Sequence, residues 1–370
     1  MSDRRDILRG IGAGLAIGLG STASARALAR EKGRKLGYAV VGLGYYATQQ
    51  IMPQFKNCEF AKLTALVSGT PEKLTRYGAE YGIPRTHWYD YQSYDRMRDN
   101  PDIDIVYVVL PNGLHAEYTI RAARAGKHVM CEKPMATSSD ECRAMIAACK
   151  AANRKLMIGY RSRFEPYNRL AIDLARSGHV GPTREIVAAH GFPIAPDQWR
   201  LDRELSGGGS MMDIGIYSLN AARYLTGEEP TYVSASESTD RSDPRFREVE
   251  DRVNWEMAFP SGILASCVSS YSSAHNRYRV TGTKGWIDME PATSYAGQAM
   301  RINRDGTTAP RVLPTPEKNQ FTAQLDHLAQ CVLTGDTPLV SGEEGLRDLL
   351  CIEAIYASAR EGRRMEVAAV

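Results

Sequence analysis

Lys133 stands where a lysine can do chemistry. It follows the apolar run Val129-Met130-Cys131 and Glu132, and Pro134 ends the run, so a buried strand feeds a charged pair into a turn. Ligands of open parallel sheets gather at the carboxyl ends of strands, which would aim this ammonium into a crevice. A second pair lies further along: Asp213 and Tyr217 are four apart after Gly207-Gly208-Gly209, and on a helix they share a face. A carboxylate one turn before a phenol, with an ammonium beside it, makes a proton donor and acceptor. The same spacing also suits a packed tyrosine and a cap-region acid.

These groups need a scaffold, and the chain before them supplies one. Leu36-Gly37-Tyr38-Ala39-Val40-Val41 reads as a strand, followed by Gly42-Leu43-Gly44-Tyr45-Tyr46-Ala47 and a predicted helix from Tyr46 to Lys56. In this GxGxxA pattern Gly42 permits a tight turn, Gly44 lets a pyrophosphate approach the backbone, and Ala47 lets helix and strand pack. The next strand, Lys62 to Val67, ends in Ser68-Gly69-Thr70-Pro71-Glu72-Lys73 with no acid for a ribose hydroxyl. Ser68, Thr70, the free amides of a helix opened by Pro71, and Lys73 suit a dianion, which favours the 2′-phosphate of NADP. Lys73 alone would equally suit a solvated helix face.

Asp104 to Leu110 reads as a central buried strand and Pro111-Asn112-Gly113-Leu114-His115 as its terminal loop, with a helix then running to Ala125 and Gly126. Ser138 and Glu141 form a capping box, and Lys155 to Tyr160 is the last strand of this half. The alternation predicts an α/β Rossmann domain, a doubly wound parallel sheet, over 36–159. Over 160–370 the pattern shifts to Val-, Ser- and Tyr-rich runs at Thr231–Ser238, Arg252–Phe259, Ile263–Tyr271 and Tyr278–Gly282, joined by turn residues. That predicts an α+β domain with an open, mostly antiparallel sheet, closed by helices carrying Leu346, Leu349, Leu350, Ala354 and Ala357 on one face.

Composition narrows the partners. The 370 residues are 43% hydrophobic and 24% charged with a formal charge of +3, too weak and too scattered for nucleic acid. Seven cysteines at uneven spacing, with no CxxC, predict buried thiols and no metal. Residues 1–30 carry Arg4-Arg5, the Gly/Ala-rich apolar run Ile11 to Gly20 and the small-residue site Ala23-Ser24-Ala25, the three parts of a twin-arginine signal peptide in order. That address implies a periplasmic protein exported folded, with no membrane partner after removal; the other reading is an amphipathic N-terminal helix of a cytoplasmic protein.

Taken together, the stretches Val40 to Gly44, Leu66 to Gly69, Tyr89-Asp90-Tyr91, Leu114 to Glu117, Gly126 to Thr137, Gln198 to Leu201 and Gly207 to Ser210 resemble the Gfo/Idh/MocA oxidoreductases, and within them the periplasmic glucose-fructose oxidoreductase branch. The resemblance spans nearly the whole chain. It implies a bound NADP, a sugar pocket shaped by the second domain, and catalytic Lys133, Asp213 and Tyr217. It further implies a cofactor site of Gly42, Gly44, Tyr45, Tyr46, Ser68, Gly69, Lys73, Tyr91, Leu110, Asn112, His115, Glu132, Lys133, Arg161, Trp199, Arg200 and Tyr295. Tyr217, where many relatives have histidine, favours that branch. The segment Arg26 to Lys35 is short and proline-free where the branch has a long proline-rich arm, and the loop between Gly191 and Gln198 is shorter. A homo-oligomer is expected, a dimer rather than a tetramer.

The expected reaction is oxidation of an aldose at C1 to a lactone and reduction of a second sugar to an alditol by the same NADP, with Tyr217 exchanging the proton beside Lys133. Two other readings stand beside it: an ordinary NADP-dependent sugar or polyol dehydrogenase with exchangeable cofactor, and a non-catalytic NADP(H) sensor or sugar-binding protein.

Overall fold

The computed structural model describes residues 35–314 and 318–370; the signal peptide expected over 1–30 lies outside them. Six parallel strands form the first sheet: β1 (Leu36–Val41), β2 (Ala61–Val67), β3 (Trp88–Tyr89), β4 (Ile105–Val108), β5 (His128–Cys131) and β6 (Leu156–Ile158), in the order β3-β2-β1-β4-β5-β6. Strands β1 and β4 are buried along their whole length, as their unbroken apolar runs require of strands covered on both faces. Burying a side chain such as Val40 or Val41 stabilises by roughly 1.5–3 kcal/mol, which pins the register and so fixes where Gly42 falls. Strand order reverses between β1 and β4, the position where ligands enter such sheets.

Helices α1 (Pro71–Glu80), α2 (His115–Arg124) and α3 (Ser139–Ala151) make crossovers as expected. The first crossover departs from regular α geometry: Tyr46–Ile51 is π-helical and Met52–Asn57 is 3-10. Pro53 contributes, because it lacks the amide an α ladder needs there. The box before α3 is also half as predicted. Ser138 Oγ accepts from the Glu141 amide at 3.3 Å, but the Glu141 carboxylate takes the amide (2.9 Å) and hydroxyl (2.7 Å) of Thr137 instead.

The second sheet has nine strands: β7 (Thr183–Gly191), β8 (Tyr232–Ser238), β9 (Arg252–Ala258), β10 (Leu264–Ser270), β11 (His275–Gly282), β12 (Gly285–Met289), β13 (Met300–Arg304), β14 (Thr307–Arg311) and β15 (Met365–Glu366), ordered β14-β13-β12-β11-β7-β10-β9-β8-β15. Its pairs are antiparallel except β7 with β10. Strand β7 was not expected, because Arg184, Glu185 and small residues mask its alternation; Ile186, Ala188 and His190 nonetheless point inward. Helix α5 (Ile216–Thr226) lies against one face with α4 (Pro166–Arg176) packed on it, while Val187 (45% exposed) and Leu264 (57% exposed) mark the uncovered face.

The chain then returns to the first sheet. On α6 (Gln320–Thr334), Asp326 accepts the amides of Glu59 (2.9 Å) and Phe60 (2.8 Å), and Tyr38 donates to the Leu325 carbonyl at 2.7 Å. Beside α7 (Gly342–Glu361) the Ile158 amide donates to the Val340 carbonyl at 2.9 Å, and Glu353 accepts from the Ser139 amide at 2.7 Å. One hydrophobic cluster consequently runs through both sheets, so the linear boundary at 159/160 divides the sequence and not the core. All seven cysteines are buried thiols, and among the described residues no three His, Cys, Asp or Glu side chains converge as a metal site.

Candidate active site

At the end of β1 the chain turns at Gly42 with φ +91°, and a Cβ there would lie 2.3 Å from the Val109 carbonyl oxygen, so only glycine fits. Gly44 is different. A Cβ on it would meet nothing within 4 Å, leaving its backbone open to the cleft beside Tyr45 and Tyr46. No side chain caps the π-helical start that follows. At the end of β2, Ser68 Oγ accepts from the Thr70 amide at 3.1 Å, α1 begins uncapped at Pro71, and Gly69 and Lys73 are exposed. A Cβ on Gly69 would lie 3.1 Å from the Tyr91 ring, so Ser68, Gly69, Lys73 and Tyr91 share one corner, outside the main cleft.

Leu110 and Asn112 line the cleft, and Asn112 Nδ2 also donates to the Ser206 carbonyl at 2.8 Å, tying the two halves together. His115 does not reach it. Its ring is fully buried, with Nδ1 2.8 Å from the Pro134 carbonyl oxygen and Nε2 2.8 Å from that of Leu110. The expectation that it lines a cofactor is corrected: it pins the end of β4 to the cis Lys133–Pro134 turn. Glu132 is buried in the cleft wall and accepts from the Tyr107 hydroxyl, to which Gln324 donates at 3.1 Å. Burial pushes the Glu132 carboxyl up to about 7, the Tyr107 hydrogen bond holding it lower than burial alone would.

Lys133 Nζ donates to the Asp213 carbonyl at 2.6 Å and lies 3.5 Å from its Oδ1. That carbonyl belongs to a second π-helical turn, Met211–Gly215, which leads into α5; such widened turns recur at functional sites. The Asp213 carboxylate is also 3.0 Å from Arg200 Nε and accepts from the Tyr271 hydroxyl at 3.1 Å. Burial pushes this carboxyl up, but Arg200 and Lys133 outweigh it and hold it below the usual range.

Lys133, expected beside Tyr217, lies over its ring, 4.9 Å from the centre, and Arg161 donates to the phenol oxygen at 3.1 Å. Arg161 is held by the Thr293 carbonyl (2.6 Å) and Gln320 Oε1 (2.8 Å), and its guanidinium lies 4.7 Å from the Tyr295 ring centre. Behind Tyr217, His190 is fully buried 5.8 Å away, ring to ring, and burial drives it down to about 3, so an uncharged imidazole backs the phenol.

The cleft holding these groups is about 850 Å³, within the range of small-molecule sites. It brings together Gly44, Tyr45, Tyr46, Leu110, Asn112, Glu132, Lys133, Arg161, Trp199, Arg200, Asp213, Tyr217 and Tyr295. Val109, Phe192, Gln198, Ile214, Thr293 and Ser294 complete the wall and were not foreseen, nor was Tyr271 behind Asp213. Phe192 and Tyr271 come in because each directly follows one of the paired strands β7 and β10. An uncapped helical start, an open glycine and a polar corner at the end of β2 fit a dinucleotide.

Comparison with known proteins agrees with this geometry. A family model described as "Oxidoreductase family, NAD-binding Rossmann fold" matches residues 36–160, and one described as "Oxidoreductase family, C-terminal alpha/beta domain" matches 177–367. The chain is 33% identical over 334 residues to a D-xylose 1-dehydrogenase [NADP(+)] of Haloarcula marismortui, covering 87% of this chain and 90% of that one. A second D-xylose 1-dehydrogenase (NADP(+)), from Haloferax volcanii, is 31% identical, covering 89% and 99%. Among solved structures, an aldose-aldose oxidoreductase from Caulobacter crescentus complexed with glycerol is 65% identical with a TM-score of 0.89, covering 90% of this chain and 100% of that one. A 3-ketoreductase from Actinomadura kijaniata in complex with TDP-benzene and NADP is 26% identical with a TM-score of 0.76, covering 88% and 98%.

Proposed function

The chain belongs to the Gfo/Idh/MocA oxidoreductase family, and from that premise we propose that it is an NADP-containing oxidoreductase that oxidises an aldose at C1 to the lactone and reduces a second sugar to the alditol. The observation that carries this reading is the convergence of the Lys133 ammonium, the Asp213 carboxylate and the Arg161-bound Tyr217 phenol on one wall of the cleft at the carboxyl edge of the parallel sheet. The likeness to the Caulobacter crescentus aldose-aldose oxidoreductase supports the substrate class.

When bound, the nicotinamide supplies the acceptor for a hydride and later its donor. The protein's own part is binding and proton management. Gly44 and the uncapped helical start behind it would take the pyrophosphate, and Ser68, Lys73 and the amides of α1 the 2′-phosphate. Tyr217, as a phenolate held by Arg161, would take the C1 hydroxyl proton in the first half-reaction and become the neutral phenol, then return that proton to the acceptor oxygen in the second as Arg161 stabilises the phenolate formed again. Asp213, fixed by Arg200 and Tyr271, would orient the sugar and hold Lys133 beside it.

Mixing the purified protein with pairs of sugars and identifying the products tests this reading: lactone and alditol must appear in equal amounts with no added nucleotide. A dehydrogenase with exchangeable NADP is the second reading, favoured by the two haloarchaeal relatives and by the exposed Tyr45 at the cleft. Release of one NADP per chain on denaturing the purified protein argues against it; an empty supernatant argues for it.

Arg4-Arg5 and the apolar run after them support export of the folded protein to the periplasm. Replacing both arginines with lysine should keep the protein in the cytoplasm on fractionation. Among the described residues no helix is long and apolar enough to cross a membrane. The uncovered face of the nine-stranded sheet, with Val187 and Leu264 exposed, supports a dimer, which light scattering in solution would test.

A further inference from the structure

Three consecutive amides, those of Gly209, Ser210 and Met211, lead into the π-helical turn that carries Asp213, and all three donate to one residue. Gly209 N donates to Glu250 Oε2 at 2.7 Å, Met211 N to Glu250 Oε1 at 3.0 Å, and Ser210 N to the Glu250 carbonyl at 3.2 Å. The approach is so close that a Cβ on Gly209 would lie 2.0 Å from that carbonyl oxygen. Glu250 is 3% exposed, and the Tyr356 hydroxyl fixes its carboxylate from α7 at 2.9 Å. A helix start usually takes its cap from the residue just before it. Here the cap comes from a distant loop.

The next residue does the same for the other side of Asp213. The amide of Tyr271 lies 3.0 Å from the Asp251 carbonyl oxygen and 3.2 Å from Oδ1, and the Ser272 hydroxyl donates to Oδ2 at 2.7 Å. Tyr271 is fully buried, and its hydroxyl donates to Asp213 Oδ2. Its ring sits in a small apolar cluster with Ile194 and Phe246, the latter from the segment just before Glu250. Two adjacent carboxylates therefore hold the two partners of the Tyr271–Asp213 hydrogen bond.

We propose that Glu250 and Asp251 act as one clamp that sets Asp213 against Tyr271, and through Asp213 the Lys133 ammonium, which makes both of them positioning residues for turnover. The predicted effect on turnover rests on the reading of Asp213 as part of the sugar site; the geometric effect does not.

Glu250→Gln keeps the shape but turns an amide NH₂ toward one of the two backbone N–H groups that the carboxylate accepts. It is expected to lower kcat about tenfold while the affinity for NADP stays unchanged, since small misplacements of reacting groups are costly. Asp251→Ala, which touches the loop and not the π turn, should lower kcat about fivefold by the same route. Combining either with Tyr271→Phe should cost little beyond Tyr271→Phe alone, because all act through one hydrogen bond. Crystal structures of the two single variants should show the Tyr271–Asp213 contact lengthened beyond hydrogen-bond distance. An unbroken contact in both, or losses that simply add to that of Tyr271→Phe, overturns the clamp. Asp251→Ala decides the matter should Glu250→Gln fail to fold. Wild-type protein that turns over no sugar would overturn the proposed function instead, leaving the crystallographic result to judge the clamp.

Discussion

Two helical starts face the same cleft. Each follows glycines, Gly42 and Gly44 in one case and Gly207-Gly208-Gly209 in the other, and each opens with π geometry, at Tyr46–Ile51 and at Met211–Gly215. They differ in what takes their amides. The first has no side-chain cap, and the space beside Gly44 is open; the second has its leading amides filled by Glu250. An unfilled helix start attracts an anionic ligand, whereas a start filled by its own protein's carboxylate has nothing left for one. The same local device can thus bind a phosphate or hold a side chain, and tertiary contacts choose between them. On the proposed function the first start would serve binding and the second chemistry.

The sharpest test separates those two jobs. Lys133→Met, which removes the ammonium bound to the second start, and Tyr217→Phe, which alters the helix following it, should each lower kcat roughly a hundredfold or more while NADP still co-purifies. Variants that turned over at near-normal rates would dissolve the distinction, and so would variants that emerged without nucleotide.

A glycine exchange probes the two starts directly. Gly44→Ala meets no neighbour, so the melting temperature should hold while the affinity for NADP falls about tenfold, because the methyl occupies the ligand's path. Gly209→Ala collides with the Glu250 backbone and should instead destabilise the fold by about 1–3 kcal/mol. Denaturant melts and nucleotide titrations of both variants would show whether the effects cross over as described; equal effects on both observables would break the comparison.

A pH-dependent effect concerns Glu132, which lies in the cleft wall. Its carboxyl, ordinarily near 4.5, is pushed to about 7 by burial, so the folded protein binds the proton more tightly than the unfolded chain does. The associated stability is fully present below pH 4.5 and is lost as pH rises toward 7, by up to roughly 3 kcal/mol. Glu132→Gln should flatten the stability curve across that window in thermal melts taken at several pH values. An unchanged slope would mean that the carboxyl is less isolated than its surroundings suggest.

Much of the first half was legible because its signals are local. A strand, a glycine turn and a helix are consecutive in sequence, and the apolar runs of β1 and β4 announce their burial without reference to anything else. The proposed catalytic groups were partly legible for a related reason: Lys133 follows the end of a strand, and Asp213 and Tyr217 share one helical segment. His115 was misread, since nothing in its neighbourhood says that both ring nitrogens meet backbone carbonyls. Strand β7 was missed because its inward face is made of Ala188 and His190 as well as Ile186.

By itself, then, the sequence determined the order of elements, the parallel sheet, the glycine turn and the residue types available for proton transfer, since each depends on neighbours a few positions apart. Only the tertiary structure decided that Arg161 rather than Lys133 meets the phenol oxygen, that Tyr271 anchors Asp213, and that Glu250 fills the second helical start. Those contacts join segments far apart in the chain. Their geometry is set by how the sheets and returning helices pack, and no short-range pattern encodes it.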